Sequence, residues 1–258
     1  MSLTFNAETH RYRMDKKHVS GVTTILNKAL PKPALPRWAA KEVANYVAEH
    51  EDDVATLRAM SPKKLAAALA QTPWDKRDEA GVRGTEIHAL AEKIVHGEAV
   101  DVPERLTPYV DDFVRFLDAW SVEPILTEKS VGNRALWYAG RPDFIGRVGG
   151  IFGGAITLLD WKSAKGVYGE TAFQTGAYAR AEFWVPDDDA DGEQPLPEVE
   201  RIGVVHVTPE GTRVYDLGDP DHAFKTFRHI KYVADMLPSF DDLVKVAAPE
   251  PTQLEIAS

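Results

Sequence analysis

The hydrophobic pattern changes period near the middle of the chain. Between Arg37 and Gly97 apolar residues recur at helical spacing, and residues 107–120, "TPYVDDFVRFLDAW", line up Tyr109, Val110, Phe113, Phe116, Leu117 and Trp120 on one helical face. Ser61-Pro62 and Thr72-Pro73 each read as an N-cap followed by a first-turn proline, and Gly97 reads as a helix stop. Gly81 and Gly84 fall inside the last helical stretch, where each costs about 1 kcal/mol relative to alanine, so a close approach or a kink is expected there. Before this region a short hairpin leads into "SGVTTILNKAL", and "PKPALP" interrupts the pattern.

After Trp120 the period shortens to two. Three strands are expected in "EPILTEKSV", "ALWYAGRPDFIGRV" and "AITLLDWKS". A helix over "ETAFQTGAYARAEFW", two strands, "VERIGVVHVT" and "RVYDLG", and a closing helix "DHAFKTFRHIKYVADML" follow. This order predicts an α/β fold with a central mixed sheet flanked by helices. The tail "AAPEPTQLEIAS" has the composition of a disordered segment.

Composition narrows the chemistry. At 258 residues and 44% hydrophobic content the chain can bury a full core. It has no apolar run of the roughly 20 residues that span a bilayer. The opening "MSLTFNAETHRYR" is too polar for a signal peptide, so a cytoplasmic protein is expected. Zero cysteines exclude a thiol nucleophile, cysteine-ligated zinc and a cysteine-ligated iron–sulfur cluster, which leaves oxygen and imidazole as metal ligands. A formal charge of −10 argues against a uniformly basic nucleic-acid coat while allowing a local basic rim. No phosphate loop of the G-x-x-x-x-G-K-[ST] type is present.

Within "AITLLDWKS", a period of two puts Ile156, Leu158, Asp160 and Lys162 on one face, with Thr157, Leu159 and Trp161 on the other. "GGIFGG" is a natural turn between two strands, and pairing across it carries Asp143 of "GRPDFIG" toward Asp160. Converging carboxylates repel unless a cation lies between them, and Mg²⁺ or Mn²⁺ suits oxygen ligands. The spacing alone is equally compatible with an Asp-Lys salt bridge beside an unrelated aspartate. His88, on a helix with apolar neighbours Ile87, Leu90 and Ala91, is either a ligand or an interfacial residue; Glu128 is either a further site carboxylate or an exposed strand residue. Gln174 and Tyr178 lie four apart and share a helical face, which by itself reads as packing plus a surface amide. Arg134, Arg141, Arg147, Lys162 and Lys165 are candidates for a basic rim, with a plain solvated face equally compatible for Arg134 and Arg147; Trp137, Tyr138, Trp161 and Tyr168 are candidates for base stacking, with core or sheet-face packing the expectation for most of them. Residues 187–198, "DDDADGEQPLPE", fit the spacing of a calcium loop, but Gln194 stands where an apolar residue belongs, and Pro195 and Pro197 oppose a following helix. A solvated acidic loop is the expectation there.

Taken in order, His88 in "GTEIH", Asp143 in "GRPDFIG", Asp160 and Lys162 in "LLDWKSAKG", and Gln174 with Tyr178 in "QTGAYA" resemble the RecB-like branch of the PD-(D/E)XK nucleases, which includes phage exonucleases and nucleases of CRISPR adaptation. The opening "FNAETHRYRMDKKHVSGVTTIL" is also similar to the leader of phage-encoded members, and the resemblance spans residues 5–180. It implies a restriction-endonuclease-like core over residues 73–246, preceded by a hairpin and helical annex over 1–72 and followed by a tail over 247–258. It also implies a metal-dependent DNA exonuclease of phage recombination, repair or replication, working in the host cytoplasm beside a single-strand annealing or recombination protein. His88, Asp143 and Asp160 would hold Mg²⁺ or Mn²⁺, Lys162 would position the nucleophilic water, and Gln174 and Tyr178 would complete the catalytic set at the DNA-facing edge, with Arg141 and Lys165 on the backbone. The missing cysteines set the chain apart from relatives that carry an iron–sulfur cluster. A catalytically silent DNA-binding module and a hydrolase of small phosphoesters remain open as alternatives.

Overall fold

The computed structural model describes residues 3–186 and 192–244. Three short strands, β1 (Leu3–Asn6), β2 (Arg11–Met14) and β3 (Lys17–Gly21), form an antiparallel meander that runs into α1 (Val22–Ala29). The helical region then comprises α2 (Ala34–Glu49), α3 (Glu51–Met60) and α4 (Pro62–Val95). Ser61 caps α4, its hydroxyl accepting from the backbone N–H of Lys63, and Pro62 occupies the first turn.

The expected second helix start at Thr72-Pro73 is not present, because α4 continues through it for 34 residues. Pro73 brings no N–H to the ladder, and the Thr72 hydroxyl donates to the Ala68 carbonyl instead. Both residues are buried, so tertiary packing outweighs the local break signal. The 72/73 domain boundary drawn from sequence therefore falls inside one helix. The close approach expected at Gly81 is also missing, with nothing within 4 Å of a Cβ there; at Gly84 the nearest atom is Ser163 Oγ at 3.8 Å.

After α5 (Thr107–Ala119) come β4 (Glu123–Thr127), β5 (Ser130–Asn133), β6 (Tyr138–Gly140), β7 (Phe144–Val148) and β8 (Ala155–Lys162). Next are α6 (Glu170–Ala179), β9 (Phe183–Val185), the two-residue β10 (Gln194–Pro195), β11 (Arg201–Thr208), β12 (Gly211–Gly218) and α7 (Pro220–Met236). Among the described residues there are two mixed sheets. One is seven-stranded, in the order β1-β2-β3-β6-β5-β9-β10; the other is five-stranded, in the order β12-β11-β8-β7-β4. The molecule is α/β, with a parallel β8–β11 pair inside the five-stranded sheet.

Two of the expected strands are each split between the sheets. "EPILTEKSV" breaks at Glu128, which adopts a left-handed backbone (φ 50°), and "ALWYAGRPDFIGRV" breaks at residues 141–143, where Pro142 withholds a donor. The chain thus crosses between the sheets at each of these two breaks, and the Glu128 N–H donates to the Asp143 carbonyl where the two crossings meet. The helix expected through Trp184 ends at Ala179, since Phe183 and Val185 are buried under the N-terminal meander and pair with β5. Most of the acidic loop at 187–198 lies outside the described residues, but Gln194–Pro195 pairs with β9 as a strand where a calcium loop would begin its second helix. The tail beyond Val244 is likewise outside them.

Alternation along β8 holds as expected. Ile156 and Leu158 pack into the core beneath α1, α6 and α7, while Leu159 and Trp161 enter a second core with Phe113 and Phe116 of α5 and Ala91 of α4. Phe113 meets the Trp161 ring edge-on at a centroid distance of 5.1 Å. These two apolar layers clamp the sheet, and the register of β8 fixes the face that Asp160 and Lys162 present.

Candidate metal centre

The turn over residues 149–154 closes the antiparallel β7–β8 hairpin, with Phe144 opposite Leu159, so Asp143 stands next to Asp160 across the pair. Asp143 precedes β7 rather than lying within it. Its Oδ2 accepts the Trp161 backbone N–H at 2.7 Å, and its Oδ1 lies 3.4 Å from Nδ1 of His88 on α4. Glu128 is arranged in the same way. Arg141 Nε sits 2.8 Å from its Oε2, while Oε1 points toward His88 Nδ1 at 4.0 Å. Each carboxylate has one oxygen fixed by the protein and the other turned inward. The inward ligand atoms of His88, Glu128 and Asp143 lie within 4.8 Å of one another, an arrangement that could hold a metal ion.

Asp160 does not belong to that three-residue group. It is 3% exposed; Gln174 Nε2 donates to its Oδ1 at 3.0 Å, and the Lys162 ammonium lies 2.7 Å from Oδ2. The Asp160–Lys162 salt bridge is thus present, beside a separate group of two carboxylates and an imidazole. Of the expected trio His88, Asp143 and Asp160, the first two fall in the three-residue group, and Glu128, at the crossing where its backbone is left-handed, is its third member.

The electrostatics are those of a site with excess negative charge. Burial pushes the Glu128 carboxyl up to about 7, with the Asp143 charge adding to the effect and Arg141 opposing it. Burial likewise holds Asp160 above the usual carboxylate range against the pull of Lys162. Burial would lower His88, but the charge and hydrogen bond of Asp143, together with Asp160, outweigh it and bring the imidazole to about 9. Burial also works against the Lys162 ammonium, and Asp160 and Asp143 overcome it, so its affinity for the proton is raised. Lys162 is thus kept as a fixed positive charge and is poorly suited to remove a proton. One imidazole nitrogen with carboxylate oxygens suits Mn²⁺ or Mg²⁺. Among the described residues, the buried Arg141 Nε and Asp160 Oδ2 make close ion pairs but no aligned hydrogen bond.

Tyr178 is not at a DNA-facing edge. It is 4% exposed, its ring lies against Gly140, and burial raises its hydroxyl well above the ordinary value. Its hydroxyl is nevertheless hydrogen-bonded with Gln174 and within electrostatic reach of Asp160 and Asp143. Gly140 is what lets the "GRPD" segment lie so close to α6. Arg134 is absorbed by Asp15 and Glu193 and stacks over Phe183, and Arg147 donates to Gly154 at the far end of β7, so neither reaches the site. Arg141 faces Glu128, while Lys165 is exposed on the loop after β8, within electrostatic reach of Glu42. Of the four aromatics, Tyr138 and Trp161 are buried, Trp137 donates its indole N–H to the His18 carbonyl, and Tyr168 is 65% exposed.

One contributor escaped the sequence reading. His206 on β11 pairs in register with Lys162, is 6% exposed, and its Nε2 lies 2.6 Å from the Ala164 carbonyl, pinning the loop that carries Lys165. A polar residue inside "VVHVT" was the available signal.

No protein-family model matches the sequence, and no curated protein matches it. Among solved structures, the chain is similar to that of a protein designated SSO0001, at 12% identity over 84% of each chain and a TM-score of 0.32, too loose a likeness to carry an argument. Among the described residues, no helix is long and apolar enough to cross a membrane.

Proposed function

We propose that the protein is a metal-dependent DNA nuclease with a restriction-endonuclease-like core, hydrolysing phosphodiester bonds at the His88–Glu128–Asp143 cluster. The observation that carries this reading is the convergence of three inward ligand atoms beside the buried Asp160–Lys162 pair. Support also comes from the resemblance of the motifs in "GTEIH", "GRPDFIG", "LLDWKSAKG" and "QTGAYA" to RecB-like nucleases.

A divalent cation at this cluster would supply Lewis acidity to a phosphate oxygen and a more acidic bound water. The protein residues do the rest. The Trp161 N–H and Gln174 orient Asp143 and Asp160, and Arg141 orients Glu128. Lys162 holds positive charge where a phosphate would develop negative charge. Lys165 can meet a flanking phosphate from the exposed loop.

The test is incubation of end-labelled linear duplex, single strand and closed circle with Mg²⁺ or Mn²⁺, beside Asp143→Ala and Lys162→Ala. Metal-dependent cleavage that both variants lose is expected, with Mn²⁺ at least as effective as Mg²⁺ because of the imidazole ligand. Cleavage that persists in both variants would sink the reading. Hydrolysis of a chromogenic monoester with DNA left intact would instead point to a small-phosphoester hydrolase.

A further inference from the structure

The helix α7 carries a second feature. Its buried face, Ala223, Phe227, Ile230 and Ala234, is locked into the main core. That orientation leaves Lys225, Arg228, His229 and Tyr232 outward, at the i, i+3, i+4 and i+7 spacing of one helical face. The two cations and the imidazole are exposed, and Tyr232 is 67% exposed. They line a groove of about 610 Å³ between α7 and the β5–β6 turn at Ala135 and Leu136. Lys231 is tied to Asp235 at 2.6 Å, which offsets one acid on the floor.

In a chain of formal charge −10, a helical face this rich in cations is a local reversal of sign, suited to a polyanion. Neighbouring cations rise about 4.5–6 Å along a helix axis, which follows an extended backbone. The exposed phenol adds a flat surface. A duplex keeps its bases stacked inside, whereas an unpaired strand can lay one on the ring.

We propose that this groove binds single-stranded DNA, with Lys225 and Arg228 on its phosphates and Tyr232 stacked on a base. The choice of DNA rests on the nuclease reading above; the charge and stacking chemistry does not.

The test uses the full chain in chelator, so that nothing is cleaved, and follows the anisotropy of a labelled oligothymidylate of about 20 nucleotides, longer than one such site needs. The exposed positions leave folding intact, which thermal melts check. The double variant K225E/R228E is expected to weaken binding at least tenfold and to lower the salt slope by about 1.4, the share of two phosphate contacts on a single strand. Tyr232→Ala should cost roughly tenfold on the single strand and leave a blunt duplex unaffected. Oligothymidylate affinity within about twofold of wild type in both variants would overturn the proposal, and equal losses on single strand and duplex in Tyr232→Ala would overturn the stacking role. Hydrolysis of bis-p-nitrophenyl phosphate with Mn²⁺, measured in parallel, separates the two readings. If the wild type hydrolyses nothing while the variants still lose oligonucleotide affinity, the nuclease reading fails and the groove stands.

Discussion

Replacing Gly140 by alanine would put a methyl carbon 2.1 Å from Cε1 and 2.8 Å from Cδ1 of Tyr178. Ordinary contact begins near 3.4 Å, so the ring or the β6 backbone must retreat by about 1.3 Å. The ring has nowhere to go, because Tyr178 is 4% exposed and its core neighbours Val131, Tyr138 and Ala177 are wholly buried. Overpacking of this kind costs roughly 1–3 kcal/mol, or about 3–10 °C in melting temperature for a chain of this size. Either route of relief also disturbs the site: moving α6 carries Gln174 off Asp160, and moving β6 carries Arg141 and Asp143 off Glu128 and Trp161. A displacement on the order of 1 Å can lower a rate about 10²-fold. The assay pairs thermal unfolding by circular dichroism with initial cleavage rates in Mn²⁺. Gly81→Ala serves as control, since nothing lies within 4 Å of its Cβ and helix propensity predicts a gain of about 1 kcal/mol. A Gly140→Ala protein that melts and cleaves like wild type would refute the claim that this glycine sets the distance between β6 and α6.

Three other outcomes follow from the site. In metal-free protein, His88 is raised from 6.5 to about 9, so its contribution is complete below pH 6.5 and is lost as pH rises through 9. Glu128, raised from 4.5 to about 7, makes the folded state bind extra protons between those values, and stability falls across that window too. Melting temperature without metal should therefore decline from about pH 4.5 to 9, and Mn²⁺ should restore more of it the higher the pH; a metal-induced shift independent of pH would contradict this. Glu128→Gln should raise metal-free stability at pH 8 by removing a charge that burial opposes, and weaken Mn²⁺ binding tenfold or more by calorimetry. Lys162→Ala should lower the cleavage rate about 10²-fold or more with Mn²⁺ affinity unchanged or tighter, because it removes positive charge beside the phosphate; a loss confined to metal affinity would reassign it.

Some of the site is legible in the sequence because alternation is a strong constraint. Once Leu159 and Trp161 belong to one core and Ile156 and Leu158 to the other, Asp160 and Lys162 have a determined side. The glycine-rich turn at residues 149–154 likewise fixed the partner strand, and a helical period placed His88. What sequence could not supply came from long-range packing. Glu128 turns inward through a left-handed backbone that a glutamate rarely adopts, held by the meeting of two inter-sheet crossings and by Arg141. Pro73 sits inside a helix because burial overrides its local preference. Tyr178 shares a helical face with Gln174, yet burial of that face leaves a tyrosine unable to reach solvent. Arg134 looked available for phosphate until the fold delivered Asp15 and Glu193 from distant positions.

The double crossing would give an ion held at this cluster a structural role. Glu128 and Asp143 each sit on the short passage that joins one sheet to the other, so an ion gripping both would act as a rivet through the joint. Loading it should slow backbone amide exchange in β5 and β6 as well as at the ligands, while α2 and α3, which share no part of that seam, keep their rates. A lengthened passage at residues 128–129 or 141–143 would loosen the rivet even with every ligand intact.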